Sequence, residues 1–467
     1  MSWNDFAAKA KEAADWGARY HQALRDTPVR AQTRPGEIAA QLADQPPESG
    51  TSLDEIVADF ERIVMPGITH WQHPRFFAYF NSNAAPASAL AEVLTTIIAP
   101  QCMLWQTSPA ATEMETRMLD WLRQAIALPD GYAGVIQDSA SSATLAAVLT
   151  MRERALDWAG NATGLAGLPQ PRIYCSDQVH SSIDRAIWVA GIGQDNLVKL
   201  PSTGALRGVD VGALRAAIAA DRAAGLLPAG IIAAVGATGM GACDDLHAVA
   251  AVAEDENLYT HLDAAWAGTA MICPEFRDLW QGAERFDSIV FNPHKWMGAH
   301  FDCAAHFLRN PDLLRQTLAM RPEYLRTHAE ADVTDYSEWS VPLGRRFRAL
   351  KLWFLMRHYG MEGLRDRIRN HVAWSQSLCA RIDAHSSFEV VTDPILSLWT
   401  FRPAGAEDAR VQTLVDAIND DGRIYLTQGM VDGRKVIRFQ AGQFDCTKDD
   451  FDIAYDTITE VWDRLRG

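Results

Sequence analysis

Apolar residues at Trp3, Phe6, Ala7, Ala10, Ala13, Ala14, Gly17 and Tyr20 recur at steps of three and four, which places them on one face of a helix that needs a surface to cover. Pro28, Pro35, Pro46 and Pro47 then interrupt any periodicity, and the chain there reads as an extended arm of the kind that embraces another subunit. Residues 1–84 are therefore expected to form an N-terminal helical and extended dimerisation segment. From about residue 85, short apolar runs alternate with amphipathic stretches, the pattern of βαβ units and a mostly parallel sheet. Strands are predicted at 134–137, 172–175, 230–235, 258–262 and 287–291, giving a large α/β domain over 85–349. Beyond it come helices at 350–358 and from 361, then strands at 388–391 and 395–401, which predict a small C-terminal α+β domain over 350–467. Just before that domain, 321–338 is charged and mixed and reads as a mobile loop.

Composition narrows the partners. At 467 residues and 48% hydrophobic positions the chain can bury more than one core. Its 43 Lys and Arg against 59 Asp and Glu leave a formal charge of -16, which argues against nucleic acid or an anionic membrane as main partner and favours a small molecule. The cysteines at 102, 175, 243, 273, 303, 379 and 446 form no CxxC pair, so neither a metal site nor a disulfide framework is expected, and reduced thiols fit the cytoplasm. The start Met1-Ser2-Trp3-Asn4-Asp5-Phe6 lacks a basic segment followed by an apolar core, and no run reaches bilayer length, so a soluble, unexported chain is expected. Asn161-Ala162-Thr163 has the glycosylation pattern but no secretory signal accompanies it. Gly191-Ile192-Gly193 lacks the third glycine and acidic residue of a dinucleotide fingerprint, and neither a Walker loop nor an HExxH helix is present.

The predicted strands share one property: each runs into polar residues. The first leads to Asp138-Ser139-Ala140-Ser141-Ser142 at the opening of a helix, where hydroxyls, free N–H groups and the helix dipole favour a phosphate, although plain N-capping produces the same pattern. The second leads to His180, placed for cofactor or acid-base work or equally for capping, and the third to Thr238. The last two deliver Asp263 and the run Phe291-Asn292-Pro293-His294-Lys295-Trp296. Alone, such a lysine is a surface charge and such an aspartate a turn residue. Together at the ends of neighbouring parallel strands they point to pyridoxal phosphate, which needs an amine to hold it as a Schiff base and a carboxylate to keep its pyridine nitrogen protonated.

The chain resembles the group II pyridoxal-phosphate amino-acid decarboxylases, specifically those acting on aromatic L-amino acids. The resemblance runs nearly end to end. It is carried by Met65-Pro66-Gly67-Ile68-Thr69-His70-Trp71, Phe76-Phe77-Ala78-Tyr79-Phe80, Gly134-Val135-Ile136-Gln137, Asp263-Ala264-Ala265-Trp266-Ala267-Gly268, Ile272-Cys273-Pro274-Glu275, Asn292-Pro293-His294-Lys295-Trp296 and Pro342-Leu343-Gly344-Arg345-Arg346-Phe347-Arg348. It implies the type I aminotransferase fold of pyridoxal-phosphate transferases, with a mostly parallel, seven-stranded type of sheet, in a homodimer with shared active sites. It also implies Lys295 as the Schiff-base lysine, Asp263 on the pyridine nitrogen, and His180 and Ala265 on opposite faces of the ring. Ser139, Ala140, Ser141, Asn292 and His294 match the phosphate positions, and Thr238 matches a hydroxyl near the ring. Tyr336 is matched to a loop tyrosine that protonates Cα, delivered from the neighbouring subunit. Trp71, Tyr79, Phe80, Ser82, Met103 and Phe301 match the side-chain pocket, while Asn81, Ser82, Met103 and Asp138 depart from the animal pattern and leave the choice of ring open. The implied reaction is decarboxylation of an aromatic L-amino acid to its amine. An aromatic aldehyde synthase, or a decarboxylase of a non-aromatic amino acid, stands as the alternative on the same fold.

Overall fold

The computed structural model describes residues 1–320 and 333–466, so residues 321–332 of the expected 321–338 loop lie outside the described residues. The chain divides into two compact units, one formed by 1–81, 373–393 and 397–467, the other by 82–372 and 394–396. The first 81 residues therefore group with the C-terminal part instead of standing apart as a segment of their own, and the second boundary falls at 372 instead of 350.

The larger unit is built on a seven-stranded mixed sheet of order β1-β9-β8-β7-β6-β2-β3. Its strands are β1 (Ala133–Gln137), β2 (Pro171–Ser176), β3 (Leu197–Leu200), β6 (Leu227–Ala234), β7 (Tyr259–Asp263), β8 (Ser288–Phe291) and β9 (Ala304–Leu308); β4 (Ser202–Thr203) and β5 (Gly208–Val209) form a separate two-stranded ribbon. β3, β2, β6, β7 and β8 pair in parallel, whereas β9 is antiparallel to both β8 and β1. β7 and β8 are buried along their whole length, and the polar Thr260 and His261 of β7 are accommodated there by hydrogen bonds with Asp287 and Ser288. Helices follow the strands as the patterning predicts: Ala140–Ala155 is capped by Ser139, whose side chain accepts the Ser142 N–H, and Leu246–Glu256 is capped by Asp245. The helix Arg348–Asp383 is broken at Gly360, where φ is 65° and helical backbone is lost.

In the other unit, β10 (Phe388–Ile395), β11 (Leu398–Pro403), β12 (Thr427–Val431) and β13 (Arg434–Gln440) form a sheet of order β10-β11-β13-β12. Phe77, Trp399, Phe401, Phe439, Phe451 and Ile458 are buried together against it. The N-terminal segment joins this unit through backbone bonds, Phe77 N–H to Tyr425 O at 3.0 Å and Gln440 N–H to Phe77 O at 3.1 Å. The predicted N-terminal helix is Trp3–Ala23, amphipathic as read, with none of its residues buried. No helix among the described residues is long and apolar enough to cross a membrane.

Candidate active site

Because β9 runs against both β8 and β1, the carboxyl ends of β1, β2, β6, β7 and β8 lie along one edge of the large sheet. That edge is where ligands bind in open α/β sheets. β7 ends at Asp263 and β8 at Phe291, and the loops beyond them are tied together: Ala264 N–H donates to Val290 O at 3.0 Å and Asn292 N–H to Ala265 O at 2.8 Å. Further on, Trp266 stacks on Trp296 with centroids 5.0 Å apart at 14°. Both indoles are buried, and Trp296 donates its N–H to Nδ1 of buried His371 at 3.0 Å. Asn83 fixes the backbone of the lysine segment, its N–H donating to His294 O at 3.1 Å and its amide to Lys295 O at 2.5 Å. Gly236 has φ +76°, and a Cβ there would lie 2.5 Å from Cβ of Ala267, so only glycine lets the turn carrying Thr238 close against the turn after β7.

Asp263 is buried and accepts the Ala265 N–H at 3.0 Å. His180 lies in the loop after β2; its Nδ1 accepts the Ser182 N–H at 3.1 Å and sits 2.9 Å from Ser182 Oγ, which leaves the ring proton on Nε2. His180 is exposed at its outer edge, yet enclosure of the ring lowers its pKa, the Asp263 charge opposes that, and the Lys295 charge reinforces it. Asp263 and Lys295 thus both lie within electrostatic reach of the imidazole.

The donors on the β1 side suit an anion. Ser139 opens a 16-residue helix whose first N–H groups face outward from its N-terminus. Ala265 packs on Ala140, Ala143 and Val290, which brings the phosphate helix up to the loop after β7. His294 is held neutral, its pKa pushed down to about 3 by burial and then by the Lys295 charge; with Nδ1 accepting the Cys303 N–H at 2.9 Å, its Nε2 is left as a donor. The Asn292 amide is buried with its oxygen unpartnered, and a half-turn of that amide offers an N–H₂ instead. Neutral donors, a helix terminus and an unsatisfied buried amide fit a phosphate, and the half-buried Lys295 beside Asp263 fits the carbonyl and pyridine nitrogen of pyridoxal.

The residues matched to the side-chain pocket divide between the units. Trp71, Tyr79 and Phe80 belong to the smaller one, where Trp71 and Tyr79 stack at 5.8 Å and Arg438 lies 4.6 Å from the Phe80 ring. Ser82, Met103 and Phe301 belong to the larger one. Phe301 sets its ring edge against His294 at 4.7 Å, and the Met103 carbonyl accepts the Ser337 N–H at 3.0 Å.

Tyr336 requires a correction. It is 3% exposed, packed with Val135, Ala146, Leu308, Leu314 and Trp339, and its hydroxyl is 2.9 Å from Thr116 Oγ1. It lines a cleft with Tyr132, Ala133 and Gly134 and packs on Val135, on the first half of β1 and about 7 Å or more along the strand from the end that delivers Ser139. Burial pushes its pKa upward. A hydroxyl so enclosed in its own subunit is not placed to protonate a substrate in a neighbouring one.

Sequence reasoning passed over Asn83 and the buried pair of Arg345 and Glu115, whose closest atoms are 2.5 Å apart. Arg345 also donates to Ile136 O at 3.0 Å while Glu115 accepts the Ile136 N–H at 2.8 Å, which fixes β1 just before the phosphate loop. The arginine-rich block 342–348 carried the signal, since such a cluster beside an apolar helix has to be paired.

Comparison with known proteins gives the family of the chain. The model of the pyridoxal-dependent decarboxylase conserved domain matches residues 35–404. Aromatic-L-amino-acid decarboxylase of Rattus norvegicus is 38% identical over 454 residues, covering 94% of this chain and 93% of that protein. Phenylacetaldehyde synthase of Arabidopsis thaliana is 36% identical over 443 residues, covering 92% and 90%. A crystal structure of TDC from Oryza sativa with PLP and tryptamine superposes with a TM-score of 0.97 at 34% identity, covering 100% of this chain and 99% of that one. A domain match over most of the chain, on a fold that gathers a lysine, an aspartate and a phosphate-type cradle at one sheet edge, establishes that this protein belongs to the pyridoxal-dependent decarboxylases.

Proposed function

We propose that the protein removes the α-carboxylate of an aromatic L-amino acid as carbon dioxide and releases the corresponding amine. The observation that carries the reading is that the parallel strands β2, β7 and β8 run towards His180, Asp263 and Lys295 at one edge of the sheet. The relatives' names, an aromatic-L-amino-acid decarboxylase and a TDC with tryptamine, support an aromatic side chain. Lys295 would hold the cofactor, Asp263 its pyridine nitrogen, and Ser139, Ala140, Ser141, Asn292 and His294 its phosphate, with Ala265, His180 and Thr238 around the ring. Bound there, pyridoxal phosphate supplies an electron sink for the pair left when the Cα–carboxylate bond breaks. Asp263 keeps negative charge opposite that sink, and His180 presents the Nε2 proton of a neutral ring. Trp71, Tyr79, Phe80, Ser82, Met103 and Phe301 are put forward as the residues that receive the side chain. The test is incubation of the holoenzyme with phenylalanine, tyrosine, DOPA, tryptophan, 5-hydroxytryptophan and acidic amino acids. Amine and carbon dioxide in equal amounts from an aromatic substrate bear the reading out; aldehyde, ammonia and peroxide assign it to the aldehyde synthases instead, and turnover of an acidic substrate alone overturns it.

The working form proposed is a homodimer in the cytoplasm. Leu90, Val93, Leu94 and Ile97 form an exposed stripe along the helix Pro86–Ile98, and the helix Trp3–Ala23 buries none of its residues fully. All seven cysteines are buried free thiols, which supports a reducing compartment. Light scattering of the parent and of Leu94→Glu tests the dimer: twice the chain mass for the parent and a monomer for the variant are expected.

A further inference from the structure

Lys351 is 1% exposed, a rare burial for a lysine. All three of its N–H groups are used: Nζ donates to His300 O at 3.0 Å and Asp302 O at 2.9 Å, and it lies 2.6 Å from Glu92. One turn earlier on the same helix, Arg348 forks onto the Asp302 carboxylate at 3.0 and 3.1 Å. Opposite, Ser88 accepts the His300 N–H at 2.7 Å. The turn 300–302 is thus gripped by its backbone N–H, two carbonyls and a carboxylate. Phe301, at its centre, is 53% exposed and has its ring edge on His294, the neighbour of Lys295. Burying an ammonium and a carboxylate carries a desolvation cost that apolar residues of the same size do not, so stability alone does not account for this clamp.

We propose that Lys351, Arg348 and Ser88 are positioning residues that fix Phe301 beside His294 and thereby set which aromatic rings the enzyme accepts. The inference rests on the decarboxylase reading of the site. A phenyl ring fixed against His294 limits the depth available to a substrate, and a turn freed from its clamp lets that ring yield to a larger one. The comparison is kcat/KM of the holoenzyme for L-tryptophan against L-phenylalanine, in the parent, Phe301→Ala, Ser88→Ala, Arg348→Gln, Arg348→Lys and Lys351→Met, with cofactor absorbance recorded alongside. Expected is a rise in the tryptophan preference of about three- to tenfold in the clamp variants, in the same sense as Phe301→Ala, expressed mainly in KM, smaller in Arg348→Lys than in Arg348→Gln, with cofactor absorbance unchanged. A purely structural clamp lowers both substrates together, so an unchanged ratio in Ser88→Ala and Arg348→Gln while Phe301→Ala shifts overturns the proposal. Should Lys351→Met fail to fold, the milder Ser88→Ala decides. Absence of amine from every substrate with the parent marks a failure of the decarboxylase reading itself, and the selection role falls with it.

Discussion

Replacing Asp263 by Asn keeps an oxygen for the Ala265 N–H but removes the negative charge that acts on His180 and would face the cofactor nitrogen. A kcat lower by about 100-fold or more is expected, with thermal stability near that of the parent. Because the Asp263 charge raises the pKa of His180, the imidazole titration should move further down in the same variant, a shift that NMR detects and that a mere packing defect does not produce. Tyr336→Phe carries the opposite expectation. Its hydroxyl meets Thr116, so the loss is one hydrogen bond, about 1 kcal/mol of folding stability, while the amine-to-aldehyde ratio stays as in the parent. A changed ratio in product analysis would return this tyrosine to the chemistry. Residue type and neighbours misled here because Asp335 and Ser337 give the tyrosine a polar setting, yet Tyr336, Ser337, Glu338 and Trp339 are all buried. Lys295, Asp263 and Ser139 were legible because each lies at, or within a few residues of, the carboxyl end of a strand, where topology leaves a side chain few other places to go.

At the scale of elements, the strands read from apolar runs are those that deliver the site, and their order along one edge follows from parallel pairing. What the sequence concealed was β9: Ala304–Leu308 is as apolar as its neighbours, and its reversed direction is set by pairing with β1 and β8 rather than by any local signal. The stacking of Trp266 on Trp296 was hidden for the same reason, since two aromatic residues on separate loops reveal their contact only once the strands are paired. That stack is expected to carry cofactor affinity as well as stability. Trp296→Phe gives up part of the aromatic overlap and leaves the Nδ1 of buried His371 without its donor, which together cost about 2–4 kcal/mol. Because the stack joins the loops bearing Asp263 and Lys295, urea midpoints with and without pyridoxal phosphate should converge in the variant. Equal cofactor stabilisation in variant and parent would limit the stack to packing.

Across the whole molecule the largest pH sensitivity comes from histidines folded in the neutral form. Burial pushes His73, His294, His306 and His371 down to about 3, and His261 well below its ordinary value. His261 and His306 are joined through Ser288, at 2.7 and 2.8 Å, in a fully buried chain that has no room for an added charge. A histidine whose folded pKa is depressed binds its proton only after unfolding, so its contribution is complete above about pH 6.5 and is lost progressively as pH falls towards 3. At pH 5 each such group costs about 2 kcal/mol relative to pH 7.5. Asp244 acts in the other direction: burial raises it to about 6 against the pull of the Ala234 and Val209 N–H groups. Protonating it returns about 1–2 kcal/mol over the same interval, less than a single histidine takes away. Stability should therefore fall steeply between pH 6.5 and 4.5, with net proton uptake on unfolding. Chemical denaturation across that range measures it, and a flat profile would mean that the buried imidazoles find protons or water without unfolding. His306→Met and His371→Gln each remove one titrating group while keeping most of its volume, so each should flatten the acid limb even where it lowers stability at pH 7.5.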